Sequence, residues 1–331
     1  MSSLSRSLGW TLVGISLLLH LFTVYCFARQ PDRFAAFTVM PIWLWGGFGV
    51  LLSTVAFYFF RASFSLVMTA VWAVTLLLGA DEARVLANSG KSPPLPGPAA
   101  PHEGKPVIRA ITLNSAFFNF GNPAADLAAW QPDIVLLQDI LPDQVRQIAD
   151  TLYGGRGESR VHQSNGVVTR WKILREFNNP SQRDQQVTVL LPSGLKIEVV
   201  NVHLATAATD LRLWQKSTWI HHRSNRAIRQ KELLLTQQIL KQTTAFPNIP
   251  TLFGGDFNSP ASDIIHRQLA RDFRNAFATA GTGWGDTFQR RFPVLRIDHL
   301  YSTRHLTPVR CCAVTTRHSD HRMVVADFLM K

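Results

Sequence analysis

Hydrophobic and polar residues are distributed differently in the first hundred residues and in the rest of the chain. Three apolar stretches, residues 8–28, 34–60 and 62–80, contain almost no charge. About twenty consecutive apolar residues are needed for a helix to cross a bilayer. The pattern therefore predicts an N-terminal transmembrane anchor of three helices within residues 1–85.

Two features of this anchor have alternative interpretations. Arg6 precedes an apolar core, as in a cleaved signal peptide, but no small-x-small cleavage site follows, which favours an uncleaved helix. The second and third stretches are separated only by Arg61, so they form either two spans or one re-entrant hairpin. Each arrangement predicts a multi-pass protein of the cell membrane, and the basic residues leave open which side carries the rest of the chain.

A proline-rich segment follows the apolar stretches. Six prolines lie between Ser92 and Pro106, among glycine and alanine. This composition favours extended, semi-rigid backbone. Residues 86–106 are therefore predicted to be a linker, which leaves residues 107–331 as one globular domain.

Short apolar runs separated by turn-forming residues characterise the globular domain. Helical periodicity is clearest in residues 224–241, and residues 142–152 are a second helix candidate. Residues 186–191 and 195–203 flank Pro192-Ser193-Gly194, which predicts a hairpin. Many strands with helices outside them indicate an α+β sandwich of two mainly antiparallel sheets.

The charge of the chain indicates an anionic partner. The net charge is +12, and residues 107–331 hold 27 Lys and Arg against 18 Asp and Glu. Between Asp210 and Glu232 there are six basic residues and two tryptophans but no acidic residue. This pattern suits contact with phosphate beside a lipid interface or a nucleobase, although a solvated basic helix face has the same composition. The predicted substrate-binding residues are Arg212, Trp214, Lys216, Trp219 and Arg223.

Polar residues repeatedly stand where an apolar, strand-like run ends. Asp256 and Asn258 follow such a run and two glycines, Gly254 and Gly255, and hard oxygen donors of this kind suit Mg²⁺ or Mn²⁺. A plain strand-end turn would also use these residue types. Polar groups at similar positions elsewhere favour a shared site at one edge of a sheet core: Asn114, Gln138, Asp139, His203 and Asp298.

These motifs, in this order, resemble the endonuclease/exonuclease/phosphatase superfamily, whose members include DNase I-like enzymes. The resemblance covers residues 107–331 and is strongest in Gly255-Asp256-Phe257-Asn258, Ile297-Asp298 and Ser319-Asp320-His321. It implies a four-layer α/β/β/α sandwich and a metal-dependent phosphoric ester hydrolase that uses Mg²⁺ or Mn²⁺.

The resemblance also implies a role for each matching residue. Asn114, Asp139 and Asp320 would belong to the metal site. His321 would be the general base that activates a water molecule, and Asp298 would orient it. Asp256 and Asn258 would hold the water or the phosphate, and His203 would donate a hydrogen bond to a phosphoryl oxygen or to the leaving group.

The sequence departs from the family pattern at one of these positions and at the residue after Asp298. Asp139 stands where the family usually has glutamate, and His299 stands where an aromatic residue is commoner. The leading hypothesis is a membrane-anchored phosphoesterase that acts on an anionic phosphomonoester, phosphodiester or lipid pyrophosphate. The alternatives are a membrane-bound nuclease acting on nucleic acid and a catalytically inactive membrane protein that binds an anionic ligand. The sequence leaves the oligomeric state open.

Overall fold

The protein folds into two compact units. The computed structural model describes residues 3–88, 90–178, 183–206 and 210–331. One unit comprises Met1–Ala87 and Asp210–Arg223, and the other comprises Asn88–Thr209 and Ser224–Lys331.

Helices form most of the first unit: α1 Ser3–Arg29, α2 Ala35–Val39, α3 Ile42–Phe60, α4 Phe64–Gly79 and α5 Asp81–Ala87. Buried polar contacts join three of them. The indole N–H of Trp72 donates to Ser16 Oγ at 3.0 Å, and Ser16 Oγ lies 2.9 Å from Ser53 Oγ. A Cβ added at Gly49 would lie 2.0 Å from the Trp72 ring, so glycine allows α3 and α4 to approach closely.

Two of the described helices, α1 and α3, are long and apolar enough to cross a membrane, whereas α4 is shorter. Membrane spans, secretion signals and buried core helices share these properties. The predicted stretch 34–60 is broken between α2 and α3. Met40 precedes Pro41 and is extended (φ −70°, ψ 140°), because proline disfavours helical backbone in the residue before it.

Two six-stranded sheets form the second unit. The first has the order β11-β12-β1-β2-β4-β3 and the second has the order β5-β6-β7-β8-β10-β9. Most neighbouring strands are antiparallel, and the β1–β2 and β7–β8 pairs are parallel. The strands are β1 Val107–Asn114, β2 Ile134–Gln138, β3 Glu158–His162, β4 Asn165–Thr169, β5 Lys172–Asn178, β6 Gln185–Leu190, β7 Lys196–His203, β8 Thr251–Asp256, β9 Arg274–Asn275, β10 Asp298–Ser302, β11 Leu306–Thr315 and β12 Arg322–Met330.

Helices cover the outer faces of both sheets, which confirms the predicted α/β/β/α sandwich. The remaining helices are α6 Ala124–Ala128, α7 Pro142–Tyr153, α8 Lys216–Thr243, α9 Ile264–Leu269 and α10 Ala276–Ala280. Val145 and Ile148 of α7 pack in one apolar core with strand residues of the first sheet. Leu233 and Leu240 of α8 pack in a second core against the other sheet.

The strand directions bring the polar strand ends together. In the parallel pairs, Asn114 is in register with Gln138, and His203 is in register with Asp256. In the antiparallel pair β8–β10, Asp298 at the start of β10 is opposite Asp256 at the end of β8. Each sheet therefore gathers its predicted site residues at one end.

Gly254 and Gly255, which precede Asp256, lie where there is no room for a Cβ atom. A Cβ at Gly254 would lie 2.9 Å from Leu136 Cδ1 in the facing sheet and 2.5 Å from Leu300 Cδ2. Gly255 has φ +136°, and a Cβ there would lie 2.0 Å from the Val202 carbonyl oxygen. Glycine thus permits close packing between the sheets and between β7 and β8.

The proline-rich segment belongs to the second unit and is hydrogen-bonded to its strands. Arg109 Nη1 donates to the carbonyl oxygens of Leu95 and Gly97 at 2.8 and 2.7 Å. Arg310 donates to the carbonyl oxygens of Ala100 and Pro101 at 2.7 and 2.9 Å. The backbone carbonyls of this segment therefore accept hydrogen bonds from two arginines of the strands.

Candidate active site

A buried histidine–aspartate pair lies at the centre of the candidate site. His321 immediately precedes β12, and its Nδ1 lies 2.8 Å from Oδ2 of Asp298. Both side chains are buried. Thr287 Oγ1 accepts the backbone N–H of Asp298 at 3.2 Å, which fixes the start of β10. Because Nδ1–H donates to the carboxylate, Nε2 is the ring atom that can accept a proton.

The carboxylates around His321 change its proton affinity. Burial alone would lower its pKa, but the charge and hydrogen bond of Asp298, with the charges of Asp256 and Asp320, raise the pKa to about 9. The imidazole is therefore a stronger base than an exposed histidine.

Asn114 connects two further carboxylates. Its Nδ2 donates to Asp256 Oδ2 at 3.0 Å and to Asp139 Oδ2 at 3.2 Å. Its Oδ1 accepts the backbone N–H of Ala116 at 3.0 Å, which sets the direction of the amide. Residues from the ends of β1, β2 and β8 thus meet, as the sequence predicts.

His203 lies between the same two carboxylates. Its Nδ1 is 3.4 Å from Asp139 Oδ1, and its Nε2 is 3.8 Å from Asp256 Oδ2. Nδ1 is buried and has no hydrogen-bond partner among the described residues.

Asn258 is fixed by its neighbours. Its backbone N–H donates to Asp256 Oδ1 at 2.8 Å, and its Nδ2 donates to the Leu204 carbonyl oxygen at 2.9 Å. Leu204 N–H in turn donates to the Asp256 carbonyl oxygen at 3.0 Å. These bonds tie together the loops after β7 and β8.

Two sets of residues are relevant to a metal ion. Asp256, Asp298 and His321 each offer one ligand atom, and these atoms lie within 4.8 Å of one another. The predicted set is Asn114, Asp139 and Asp320; Asn114 contacts Asp139, and Asp320 is partly exposed beside His321. The first set includes an imidazole already bonded to Asp298, whereas the second supplies the oxygen donors that Mg²⁺ prefers.

His299 occupies an aromatic environment, which accounts for its place in the motif. Its ring meets Phe257 edge-on with centroids 5.4 Å apart, and His266 lies 4.4 Å away. Burial, followed by the charges of His266 and Arg296, lowers the pKa of His299 well below its usual value. The neutral ring therefore packs between Phe257 and His266 as an aromatic side chain would.

The predicted substrate-binding residues lie in the other unit. Arg212, Trp214, Lys216, Trp219 and Arg223 belong to the unit formed with Met1–Ala87. Trp219 packs with Phe34 at 6.5 Å, whereas Trp214 is 81% exposed. Their contact with substrate stays a prediction.

Two arginines of the same basic stretch have a different setting. Arg226 and Arg229 are buried in α8, and they lie 3.1 and 3.8 Å from Asp263. Both arginines were counted in the sequence analysis among the six basic residues between Asp210 and Glu232. Helical spacing alone does not reveal that a carboxylate distant in the sequence lies beside them.

Sequence reasoning also missed Arg290. Its backbone N–H donates to the Asp320 carbonyl oxygen at 2.7 Å, and its Nη1 donates to the Ser319 carbonyl oxygen at 2.8 Å. Nothing in the local sequence around Arg290 marks this contact with the motif that contains His321.

The model of the endonuclease/exonuclease/phosphatase family matches residues 111–321. The chain belongs to this family, and the match includes all the predicted catalytic and metal residues. Members are mostly phosphoesterases and nucleases. No curated protein matches the chain.

Several solved structures share the fold. The endonuclease/exonuclease/phosphatase from Bacteroides vulgatus is 17% identical, with a TM-score of 0.52; the matched region covers 69% of this chain and 100% of that chain. A mannosyl-6-phosphatase from Bacteroides thetaiotaomicron is 15% identical, with a TM-score of 0.51; the matched region covers 67% of this chain and 100% of that chain. TDP2 from D. rerio, in complex with a single strand DNA product, is 17% identical, with a TM-score of 0.51; the matched region covers 67% of this chain and 98% of that chain. At these identities the likeness establishes the fold.

Proposed function

We propose that the protein is a membrane-anchored, divalent-metal-dependent phosphoesterase that hydrolyses its substrate by direct attack of an activated water. The observation that carries the proposal is the 2.8 Å contact between His321 Nδ1 and Asp298 Oδ2. It lies beside the Asn114–Asp256 contact of 3.0 Å. A base and an array of phosphate-binding groups at one site are what hydrolysis of a phosphoester needs.

In this mechanism His321 Nε2 takes a proton from water while the water oxygen attacks phosphorus. Asp298 accepts the Nδ1–H bond and stabilises the imidazolium that forms. The bond from phosphorus to the leaving-group oxygen then breaks, the electron pair goes to that oxygen, and the departing alkoxide takes a proton from solvent water. His203 donates a hydrogen bond to a phosphoryl oxygen or to the departing oxygen, and Asp256 and Asn258 hold the water or the phosphate.

A cation fits the oxygen-rich part of the site. Asp139 and Asp256 share the amide of Asn114 at 3.2 and 3.0 Å, and two like charges so close together favour a bound cation. We assign the metal to Asn114, Asp139 and Asp320. When bound, Mg²⁺ or Mn²⁺ would polarise a phosphoryl oxygen and offset its charge.

A membrane location is supported by the surface of the first unit. Less than a third of the apolar windows in α1 and α3 is buried. Leu18, Phe59 and Leu78 are 68%, 65% and 74% exposed. Lipid would cover such a surface, which makes a phosphate carried by a lipid the favoured substrate. We propose residues 1–85 as the anchor, residues 86–106 as the linker and residues 107–331 as the catalytic domain.

The proposal is tested with the full-length protein in detergent micelles. With Mg²⁺, it should release phosphate or headgroup from phospholipids and lipid pyrophosphates faster than it nicks plasmid DNA. EDTA should abolish turnover, and added Mg²⁺ or Mn²⁺ should restore it. His321→Ala should be inactive, whereas the control His102→Ala, at a half-buried position in the proline-rich segment, should match wild type.

Other outcomes point to the alternatives. Faster nicking of plasmid would make the protein a membrane-bound nuclease, which is the second candidate because D. rerio TDP2 was solved with a DNA product. Binding of anionic ligands without turnover of any ester would indicate an inactive binding protein.

A further inference from the structure

The chain between β11 and β12 carries two of the predicted site residues. Residues 316–320, called here the β11–β12 connection, are neither helix nor strand. The connection ends at Asp320, and His321 follows directly. Backbone groups outside a helix or sheet need other hydrogen-bond partners, so the placement of both side chains depends on what holds this connection.

The two ends of the connection are held from the side of the first sheet. Asp126 of α6 accepts the Thr316 hydroxyl through Oδ2 at 2.5 Å, and the same oxygen lies 3.0 Å from His318 Nδ1. The Ser319 hydroxyl donates to the carbonyl oxygen of Asn114, at the end of β1, at 2.6 Å. Contacts with α6 and β1 therefore keep the connection folded.

Arg290 holds the same connection through three hydrogen bonds. Its backbone N–H donates to the Asp320 carbonyl oxygen at 2.7 Å. Its Nη1 donates to the Ser319 carbonyl oxygen at 2.8 Å and also to the carbonyl oxygen of Arg317. Each terminal nitrogen of a guanidinium carries two N–H groups, so Nη1 can bond both carbonyl oxygens at once and fix their separation.

Arg290 is itself fixed beside the histidine of the site. Its guanidinium carbon lies 5.1 Å from the centroid of the Phe120 ring. Arg290 belongs to a hairpin in which the N–H of Phe288 donates to the Leu295 carbonyl oxygen at 2.9 Å, and the N–H of Leu295 donates back at 3.0 Å. The ring of Phe288 lies 5.0 Å from the ring of His321. The hairpin therefore contacts His321 directly and reaches Asp320 through Arg290.

We propose that Arg290 is a positioning residue, whose guanidinium holds the β11–β12 connection so that Asp320 and His321 keep their places in the site. The inference rests on the proposed phosphoesterase function. Because Nη1 donates to carbonyl oxygens of the chain, Arg290 acts through the connection and not by contact with the substrate. Residues that orient metal-site residues in this way typically contribute tenfold to a hundredfold to activity.

Steady-state kinetics separate positioning from substrate binding. Full-length protein in nanodiscs is assayed with Mn²⁺ on p-nitrophenyl phosphate and bis(p-nitrophenyl) phosphate. Arg290→Met keeps the backbone N–H and most of the apolar stem, so kcat should fall about tenfold to a hundredfold while KM stays within about twofold. Arg290→Lys should give an intermediate kcat, since an ammonium group lacks the planar fork. The control Arg291→Met removes the same charge at an exposed neighbouring position and should match wild type.

Hydrogen exchange tests the connection without any turnover. The N–H of His321 donates to Ser319 Oγ at 2.9 Å, and the N–H of Arg322 donates to the Thr287 carbonyl oxygen at 2.8 Å. In metal-free Arg290→Met, peptides covering residues 316–322 should exchange about fivefold faster or more, by mass spectrometry. The rest of the second unit should exchange as in wild type, and the melting temperature should change by less than about 5 °C, because the contacts with α6 and β1 remain.

Four results would overturn the positioning role of Arg290. Exchange of residues 316–322 that is unchanged in Arg290→Met would show that the connection does not need the guanidinium, and an equal increase throughout the second unit would show a general loss of stability. A raised KM at constant kcat would make Arg290 a substrate-binding residue, and an equal kinetic loss in Arg291→Met would show an effect of charge alone.

The exchange experiment also separates this inference from the proposed function. If wild type hydrolyses neither ester, that result counts against the phosphoesterase. A selective increase of exchange in residues 316–322 would then still assign Arg290 to holding Asp320 and His321, and the lack of such an increase would reject it.

Discussion

Arg229 Nη1 donates a hydrogen bond of 3.1 Å to the carbonyl oxygen of Ala205, two residues beyond His203. The backbone N–H of Ala205 donates to Glu232 Oε2 at 2.9 Å. Both backbone polar groups of Ala205 are therefore held by side chains one turn apart on α8. Arg229 also lies 3.8 Å from Asp263, the residue that caps α9.

Arg229→Met should destabilise the protein. The substitution keeps most of the apolar volume but leaves the Ala205 carbonyl oxygen without its donor and removes one of two cations beside buried Asp263. Losing one partner of a buried pair costs about 3 kcal/mol or more, so the melting temperature should fall on the order of 10 °C. Thermal unfolding followed by circular dichroism measures this. Lys231→Met, at an exposed neighbouring position, is the control and should change stability by less than about 0.5 kcal/mol.

Substitutions of His321 and Asp298 should separate the role of the base from the role of the carboxylate that supports it. His321→Ala removes the base, and turnover should fall by about 10²- to 10⁴-fold. Asp298→Asn keeps the size of the side chain but removes the charge that supports the imidazolium, so the expected decrease is smaller. Initial rates at saturating substrate measure both effects. Wild-type turnover in His321→Ala, with circular dichroism unchanged, would rule out His321 as the base.

The raised pKa of His321 predicts opposite pH trends for activity and for stability. A general base must be neutral, so turnover should increase as pH rises toward about 9. A bound cation disfavours the imidazolium, so with metal present the increase of turnover with pH should occur at lower pH. The free energy of unfolding, in contrast, is increased by the protonated form of His321. Because the folded pKa is raised from 6.5, this contribution is complete below pH 6.5 and is lost as pH rises through about 9.

Unfolding of the metal-free protein between pH 6 and 10 tests the second trend. The stability difference between wild type and His321→Ala should shrink with increasing pH. A difference that is constant across this range would show that His321 does not titrate as inferred.

Gly255→Ala should be far more damaging than an alanine at a glycine that also has positive φ but has open surroundings. At Gly255 the added Cβ would lie 2.0 Å from the Val202 carbonyl oxygen, so β7 and β8 would have to separate. At Gly154, φ is +59° and nothing lies within 4 Å of the added Cβ, so the expected cost is only about 1–2 kcal/mol. Denaturant unfolding of both variants provides the comparison, and equal losses would contradict the steric argument.

Much of the fold could be predicted from local patterns. The hairpin predicted at 186–191 and 195–203 corresponds to β6 and β7, and the helix predicted at 142–152 corresponds to α7. The helix predicted at 224–241 begins earlier, at Lys216. Its first turns lack the apolar stripe that marks the later ones, so periodicity did not reveal them.

The motifs predicted which polar residues meet at one edge of the sandwich, because strand ends are recognisable by composition. They could not indicate which neighbours fix those residues. Glu232 and Arg290 reach the site from distant parts of the chain, and their contacts depend on tertiary packing. The left-handed backbone at Phe117 was also unpredictable, since non-glycine residues rarely adopt it and no residue type marks it.

The carbonyl oxygens of the proline-rich segment, which accept hydrogen bonds from two arginines, affect where the chain can be cut. Arg109 and Arg310 both pair with Asp327, and a fragment starting at Val107 would lose four acceptors for their remaining N–H groups. A soluble fragment that starts near Ser92 keeps these acceptors. The second compact unit therefore includes residues that composition assigns to a spacer.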